Sequence, residues 1–299
     1  MLRYNEVKND SRLLQVLTSL STDEFELFLP IFRDTLVSYF GGMWEEEPPT
    51  GPGARPKLES AENALFFILF YFKNYPLQEV IGFFFGLSQS RANELIHDFS
   101  IVLRESLRLH KNLPERIADK LSDFISEENQ GLSIDGTERR IQRPKDDEEQ
   151  KKNYSGKKKA HTRLNLLIAG NNDIQVKYLG KTYAGSTSEV KIAKEENVSF
   201  PDGTDLYQDK GLQGYAPPGV VIHQPKKKPR GGDLTEEEKI NNRLISSTRI
   251  VVEHVISGIK RLHIVKSVFR NTVDGFDDLV LEIACGLHNF RCECRRTCY

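Results

Sequence analysis

The spacing of apolar residues changes character once along this chain, and that change limits the folds open to it. Up to about Asn129 apolar side chains recur every three to four residues. Phe25, Phe28, Leu29 and Phe32 behind the capping run Ser21-Thr22-Asp23-Glu24 are an example, and this is the period of helices that bury one face. Beyond Asn129 the pattern alternates, at residues 132–135, 164–169 and 174–178, as half-buried strands do. Gly170-Asn171-Asn172-Asp173 offers a turn between the last two, so three consecutive strands predict an antiparallel meander. Shorter strand-like pieces follow at 206–209 and 220–222, with helices expected over 186–196 and 241–270. The expectation is an all-α region over 1–130, with a Gly-, Pro- and Glu-rich linker at about 41–57, and an α/β domain over 131–299.

Composition narrows the class. At 299 residues, 38% hydrophobic and 28% charged, the chain has the make-up of a globular protein with sizeable cores. Its net charge of -1 conceals a split of about −7 over residues 1–130 against about +6 over the rest, a prior for polyanion binding by the second part. The longest apolar run, residues 64–72, is too short to cross a bilayer and reads as a buried helix. The N-terminus lacks the layout of an export signal. A cytoplasmic protein with no membrane partner is expected. Cys285, Cys292, Cys294 and Cys298 crowd the last fifteen positions around His288. Their spacing matches no paired Cys-x-x-Cys knuckle, so reduced thiols are preferred to zinc.

Residues 76–99, PLQEVIGFFFGLSQSRANELIHDF, are the part of the first half that suggests a task. Gly86 is placed to end one helix in a left-handed cap and Ser88 to cap the next. Ala92, Leu95, Ile96 and Phe99 then form an apolar stripe. Gln89, Ser90, Arg91 and Asn93 are left on the outer face near the second helix's start, the layout of a helix-turn-helix DNA reader. From the pattern alone an ordinary helical hairpin fits equally well.

In the second half three carboxylates stand out. Asp135 lies in the first strand, Asp209 ends a later one, and Glu253 sits on the helix expected over 241–270. Arg249, Glu253 and Lys260 fall within roughly 40° of one another around that helix, although an i, i+4 ion pair of Arg249 with Glu253 is the simpler reading. Strand acid, strand-end acid and late-helix acid is the order of a ribonuclease-H-like nuclease core. There two neighbouring parallel strands bring the aspartates together and the late helix adds the third acid. Hard divalent cations want such oxygen ligands. Two of them about 4 Å apart activate the attacking oxygen and stabilise the leaving one in an in-line phosphoryl transfer. Turn-capping roles for Asp135-Gly136 and Asp209 are the alternatives.

The strings IDGTERRIQRP (134–144), YSGKKKAHT (154–162), LYQDKGLQGY (206–215), QPKKKPRGGDLT (224–235) and STRIVVEHVISGIKR (247–261) resemble insertion-sequence transposases of the DDE superfamily, in the Harbinger-related group. The likeness covers about residues 130–290. Its third-acid pattern Tyr-x2-Arg-x3-Glu-x6-Lys is kept from Arg249 through Glu253 to Lys260, with Ser246 where the tyrosine would stand. Members often carry Gly-x-x-His-Asp after the third strand, where this chain has Gly185-Ser186-Thr187-Ser188-Glu189. The resemblance implies a ribonuclease-H-like catalytic domain, a mixed sheet with flanking helices, preceded by a helix-turn-helix region. It implies Asp135, Asp209 and Glu253 as catalytic and metal-binding residues for two Mg²⁺ or Mn²⁺ ions, without a small-molecule cofactor. It also implies terminal inverted repeats and target duplex DNA as partners, and a homodimer or higher multimer on DNA.

The basic residues fit a phosphate-lined path: Arg139 and Arg140 after the first acid, Lys157, Lys158, Lys159 and His161 before the second long strand, and Lys226, Lys227 and Lys228 before the last helix. Contacts of this kind supply affinity and register rather than sequence reading. A DNA transposase is the expectation. An inactive DNA-binding relic and a nuclease that cleaves without joining are the competing readings.

Overall fold

The computed structural model describes residues 1–41, 44, 58–125 and 131–297. The linker expected at about 41–57 falls almost wholly outside them, as does Cys298. The first helices are α1 (Tyr4–Val7), α2 (Ser11–Thr18), α3 (Thr22–Phe40), α4 (Ala61–Asn74), α5 (Gln78–Phe85), α6 (Gln89–Leu109) and the short α7 (Leu121–Phe124). Then come β1 (Gly131–Arg140), α8 (Asp147–Asn153), β2 (Tyr154–Ser155), β3 (Ala160–Gly170), β4 (Val176–Leu179), β5 (Tyr183–Ala184), α9 (Glu189–Glu196), β6 (Asp205–Tyr207) and β7 (Val221–His223). Three helices close the chain: α10 (Glu236–Ile259), α11 (His263–Lys266) and α12 (Phe276–Thr297). Two compact units result. One is Met1–Leu113 with Lys260–Ser267 and Val273–Tyr299; the other is Pro114–Ile259 with Val268–Thr272.

The helical unit is built around α4. Its sequence is apolar all round, so it is stable only when enclosed, and residues 64–72 are all buried, as their composition predicted. Helices α2, α3, α6 and α11 surround it. Aromatic rings fill the space: Phe67 meets Phe85 and Phe99 edge-on at centroid distances of 5.1 and 6.2 Å. Helices α2, α3, α4 and α6 are capped by short polar side chains, Asp10, Ser21, Ser60 and Ser88 accepting from the backbone N–H three residues on. Gly86 ends α5 at φ +67°, a conformation that costs a residue with a Cβ.

Helix α12 packs on α6 within this same unit, so the unit takes its helices from both ends of the chain, whereas the sequence reading ran a single domain from 131 to 299. Glu282 of α12 receives Arg104 of α6 through Nε at 2.7 Å and Nη2 at 3.2 Å. Asn289 donates to the carbonyl of Asn112 at 2.9 Å. Cys285 and Cys294 are buried free thiols, and Cys292 Sγ lies 3.5 Å from His288 Nε2.

The second unit is a seven-stranded mixed sheet. The meander is present: β3 runs antiparallel to β1, and β4 antiparallel to β3. On the other side of β1, β6 and then β7 add in parallel. Leu132, Ile134, Leu164, Leu166 and Leu206 from the sheet share one core with Ile192 and Ala193 of α9. Helix α10 packs against β1, β3 and β6 through buried Ile245, Val252, Val255 and Ile259. It ends at Ile259, short of the expected 270: a turn at 260–262 separates it from α11.

Candidate active site

Strand register creates the site. In the β1–β6 pair Gly131 faces Asp205, Leu132 faces Leu206 and Ser133 faces Tyr207. Carried two residues further, the same offset brings Asp135 level with Asp209, just beyond the end of β6. Alternation along β1 buries Leu132 and Ile134 in the core and turns Asp135 to the opposite face. Asp135 does not form a hairpin turn, since β1 continues through Gly136 to Arg140. Asp209 does cap a turn: its Oδ1 accepts from the Gly211 N–H at 2.6 Å. Gln224, just after β7, donates to the Asp209 carbonyl and ties that corner down.

A third carboxylate joins them from a different element than expected. Glu189 opens α9, and one carboxylate oxygen from each of Asp135, Glu189 and Asp209 lies within 4.8 Å of the others. Two glycines make room. A Cβ on Gly136 would stand 2.8 Å from Glu189 Cγ, and one on Gly211 would stand 2.9 Å from Asp209 Oδ1 and 3.0 Å from Glu189 Oε2. The signal for Glu189 was in the sequence: it occupies the acid position of the family's Gly-x-x-His-Asp, keeping a carboxylate one methylene longer.

The electrostatics are those of an acid cluster short of positive charge. Burial, then the Glu189 charge and more weakly that of Asp209, raises the Asp135 pKa to about 6 against the opposing effects of the Gly136 N–H and Arg249. The Gly136 N–H donates to Asp135 Oδ1 at 2.8 Å. Lys157 Nζ lies 3.2 Å from Glu189 Oε1. A crowded set of oxygen ligands with one carboxyl held up in pKa is the donor chemistry a hard divalent cation satisfies.

Helix α10 aims Arg249 toward this cluster, since its charge acts on Asp135; the guanidinium Nε is buried without a hydrogen-bond partner. Glu253, one turn further along the same stripe, is exposed and stands outside the group of converging ligand oxygens. Ser246 is exposed and donates its hydroxyl to the Asn242 carbonyl at 2.8 Å. Lys260 follows the last residue of α10 and clusters with the helical unit.

The remaining basic residues divide by environment. Arg139 is 4% exposed and spends its guanidinium on Asn165 at 2.8 Å and Thr182 at 3.2 Å, so it stands inside the sheet unit instead of on its surface. Arg140, Lys157, Lys158 and Lys159 are exposed and His161 half-buried. Lys226 pairs with Glu238, and Lys228 with Asp233 at 2.6 Å, while Lys227 is exposed.

In the helical unit the α5–turn–α6 layout expected over 76–99 is present. Ala92, Leu95, Ile96 and Phe99 are buried, while Gln89, Ser90 and Arg91 are exposed and Asn93 half-buried. Gln78 of α5 bridges the two helices, donating to Asn93 Oδ1 at 2.6 Å and accepting from Gln89. Arg91 pairs with Glu94 at 2.8 Å. Among the described residues no helix is long and apolar enough to cross a membrane.

Comparison with known proteins agrees with both halves. Residues 134–289 match the family model of the DDE superfamily endonuclease, and residues 56–109 that of the helix-turn-helix of DDE superfamily endonucleases. A protein of Microchaete diplosiphon named a probable transposase for insertion sequence element IS702 is 31% identical over 246 residues, 82% of this chain and 86% of that one. No solved structure matches the chain. The nuclease model spans more than half of the sequence and includes all three clustered carboxylates, and so the chain belongs to the DDE superfamily endonucleases and carries their helix-turn-helix.

Proposed function

We propose that this protein is a cut-and-paste DNA transposase of the Harbinger-related group, with a ribonuclease-H-like nuclease unit. The observation that carries the reading is the parallel register that sets Asp135 level with Asp209 in a site where a third carboxylate, Glu189, converges. The sheet order, an antiparallel meander extended by two parallel strands, supports the fold assignment. The IS702 relative supports the activity.

Asp135 and Asp209 would hold the metal, Mg²⁺ or Mn²⁺, with Glu189 beside them and Glu253 as the ligand that α10 would contribute. Bound as a pair, such ions supply an activated attacking oxygen and charge stabilisation of the leaving one. The protein's own residues set the geometry. Asp135 and Asp209 are fixed by the Gly136 and Gly211 N–H groups, and Arg249 offers its unpartnered Nε toward a phosphate oxygen. Water attacks the phosphodiester at the element end; the new P–O bond forms as the P–O3′ bond breaks, leaving a 3′-hydroxyl. That hydroxyl then attacks a target phosphodiester in a second in-line exchange, with no covalent protein intermediate.

Gln89, Ser90, Arg91 and Asn93 read the terminal inverted repeats from the major groove. Arg140, Lys157, Lys158, Lys159, His161, Lys227 and Lys260 contact phosphates. A homodimer or higher multimer holds two ends together, in the cytoplasm and on the nucleoid when bound to DNA.

The test is nicking of an element-end duplex with Mg²⁺ or Mn²⁺ by the parent and by Asp135→Asn, Asp209→Asn, Glu189→Gln and Glu253→Gln. Loss of about a hundredfold or more is expected for both aspartates and for Glu253. An Asp135→Asn protein that nicks as well as the parent sinks the assignment. Retained activity in Glu253→Gln with loss in Glu189→Gln would move the third ligand to α9. A pre-cleaved 3′-hydroxyl end incubated with plasmid then separates transposase from simple nuclease, since only the former yields joined product.

A further inference from the structure

The turn between β2 and β3 carries Lys157, Lys158 and Lys159, and the three are not equivalent. All are exposed, yet among the described ion pairs only Lys157 meets a carboxylate, Glu189, which is a member of the acid cluster and only 12% exposed along its side chain. The charges of Asp135 and Asp209 also act on Lys157. The turn is pinned next to Lys157: the Lys158 N–H donates to the buried Ser155 Oγ at 3.2 Å. Thus one ammonium, 65% exposed along its side chain and on a flexible four-carbon stem, stands at the mouth of a cluster whose three oxygens repel one another. With its ammonium end largely in solvent the pair is weakly held, and a lysine has the reach to move aside and still remain at the site.

We propose that Lys157 is the resident counter-cation of the Asp135–Glu189–Asp209 cluster in the metal-free protein, yields that place when a divalent cation enters, and then takes a DNA phosphate at the same mouth. This rests on the reading of the cluster as the metal site. The lysine keeps the three carboxylates together before metal arrives and couples metal loading to DNA capture, because one positive charge cannot serve both partners. DNA phosphate and the acid cluster compete for Lys157, and the metal decides which one has it.

The experiment uses the full chain without DNA first. Mn²⁺ affinity is measured by electron paramagnetic resonance of the free ion for the parent, Lys157→Met, Lys157→Arg and, as a control for lost charge, Lys151→Met on α8. Removing the competing ammonium is expected to tighten Mn²⁺ binding in Lys157→Met by roughly three- to tenfold and to lower its melting temperature in EDTA. Lys157→Arg and Lys151→Met are expected to stay near the parent. Duplex DNA affinity is then measured with and without Mn²⁺. Lys157→Met is expected to weaken DNA binding only in the presence of metal, with the salt slope reduced by about one. Equal or weaker Mn²⁺ binding by Lys157→Met, with the parent binding normally, overturns the proposal for Lys157 and leaves the metal site standing. A parent that binds no Mn²⁺ overturns the metal site itself.

Discussion

Replacing Asp135 with Asn should stabilise the metal-free protein while destroying the site, and the size of the effect can be worked from the cluster. Burial and the Glu189 charge lift the Asp135 pKa from 3.8 to about 6. At 1.36 kcal/mol per unit the ionised carboxylate then costs up to about 3 kcal/mol at neutral pH, and solvent access to the partly exposed site reduces this to about 1–2 kcal/mol. Because the folded pKa lies above the unfolded one, the cost is present above about 6 and is relieved as pH falls toward 4. Asn keeps an Oδ1 to accept from the Gly136 N–H, so only the charge is lost. Thermal unfolding in EDTA at pH 7.5 should therefore show Asp135→Asn melting about 2–6 °C above the parent, with the gap closing near pH 4.5. Added Mn²⁺ should raise the parent and leave the variant unmoved, and the parent's response should fade as pH drops through about 6. An Asp135→Asn protein that melts below the parent in EDTA at pH 7.5 would refute the argument that the three carboxylates strain one another.

Three further outcomes follow from contacts already described. Gly136→Ala places a Cβ 2.8 Å from Glu189 Cγ, a flexible side chain that will move. The fold should survive within about 1 kcal/mol while Mn²⁺ affinity falls, both readable by calorimetry. Arg139→Ala strips Asn165 and Thr182 of a buried donor and should cost about 2–4 kcal/mol in urea unfolding; if it instead lowers only the salt slope of DNA binding, Arg139 is a surface contact after all. Arg104→Ala leaves Glu282, 7% exposed along its side chain, without its bidentate partner. The helical unit should lose about 2–4 kcal/mol, seen as a lower urea midpoint for that unit.

What the sequence made legible was local or nearly so. The turn at Gly86, the caps at Ser21 and Ser88 and the alternation of β1 are decided within a few residues, and each appears where the pattern placed it. The pairing of Asp135 with Asp209 was also reachable, because parallel neighbours keep one offset along their length. What escaped depended on packing between distant segments. Glu189 enters the site because two glycines, at 136 and 211, leave it room, and no periodicity within residues 186–196 encodes that. Arg139 reads as one more cation after the first acid, yet on the same face of β1 as Asp135 it is buried and donates through Nη2 to Asn165, 26 residues away. The apolar rhythm of α10 continues past Ile259 into Leu262, Ile264 and Val265, all buried. A single long helix was therefore the natural reading, while the turn at 260–262 divides it.

The return of α12 to α6 sets an order of events at the ribosome. A chain emerging from its N-terminus presents α6 long before α12 exists. With synthesis at about 5–20 residues per second, the stretch between Leu113 and Val273 imposes a wait of roughly ten to thirty seconds. For that interval the face of α6 that carries His97, Arg104 and Leu107 lacks its partners Phe276, Glu282 and Gly286, while the sheet unit, contiguous apart from five residues, is almost fully available to fold. The nuclease half is thus positioned to mature first and the helical unit with its helix-turn-helix later, its completion gated by α12. A copy cut short before residue 276 would lose more than a tail: it would release a folded nuclease sheet joined to a helical unit whose α6 has lost the helix that packs on it.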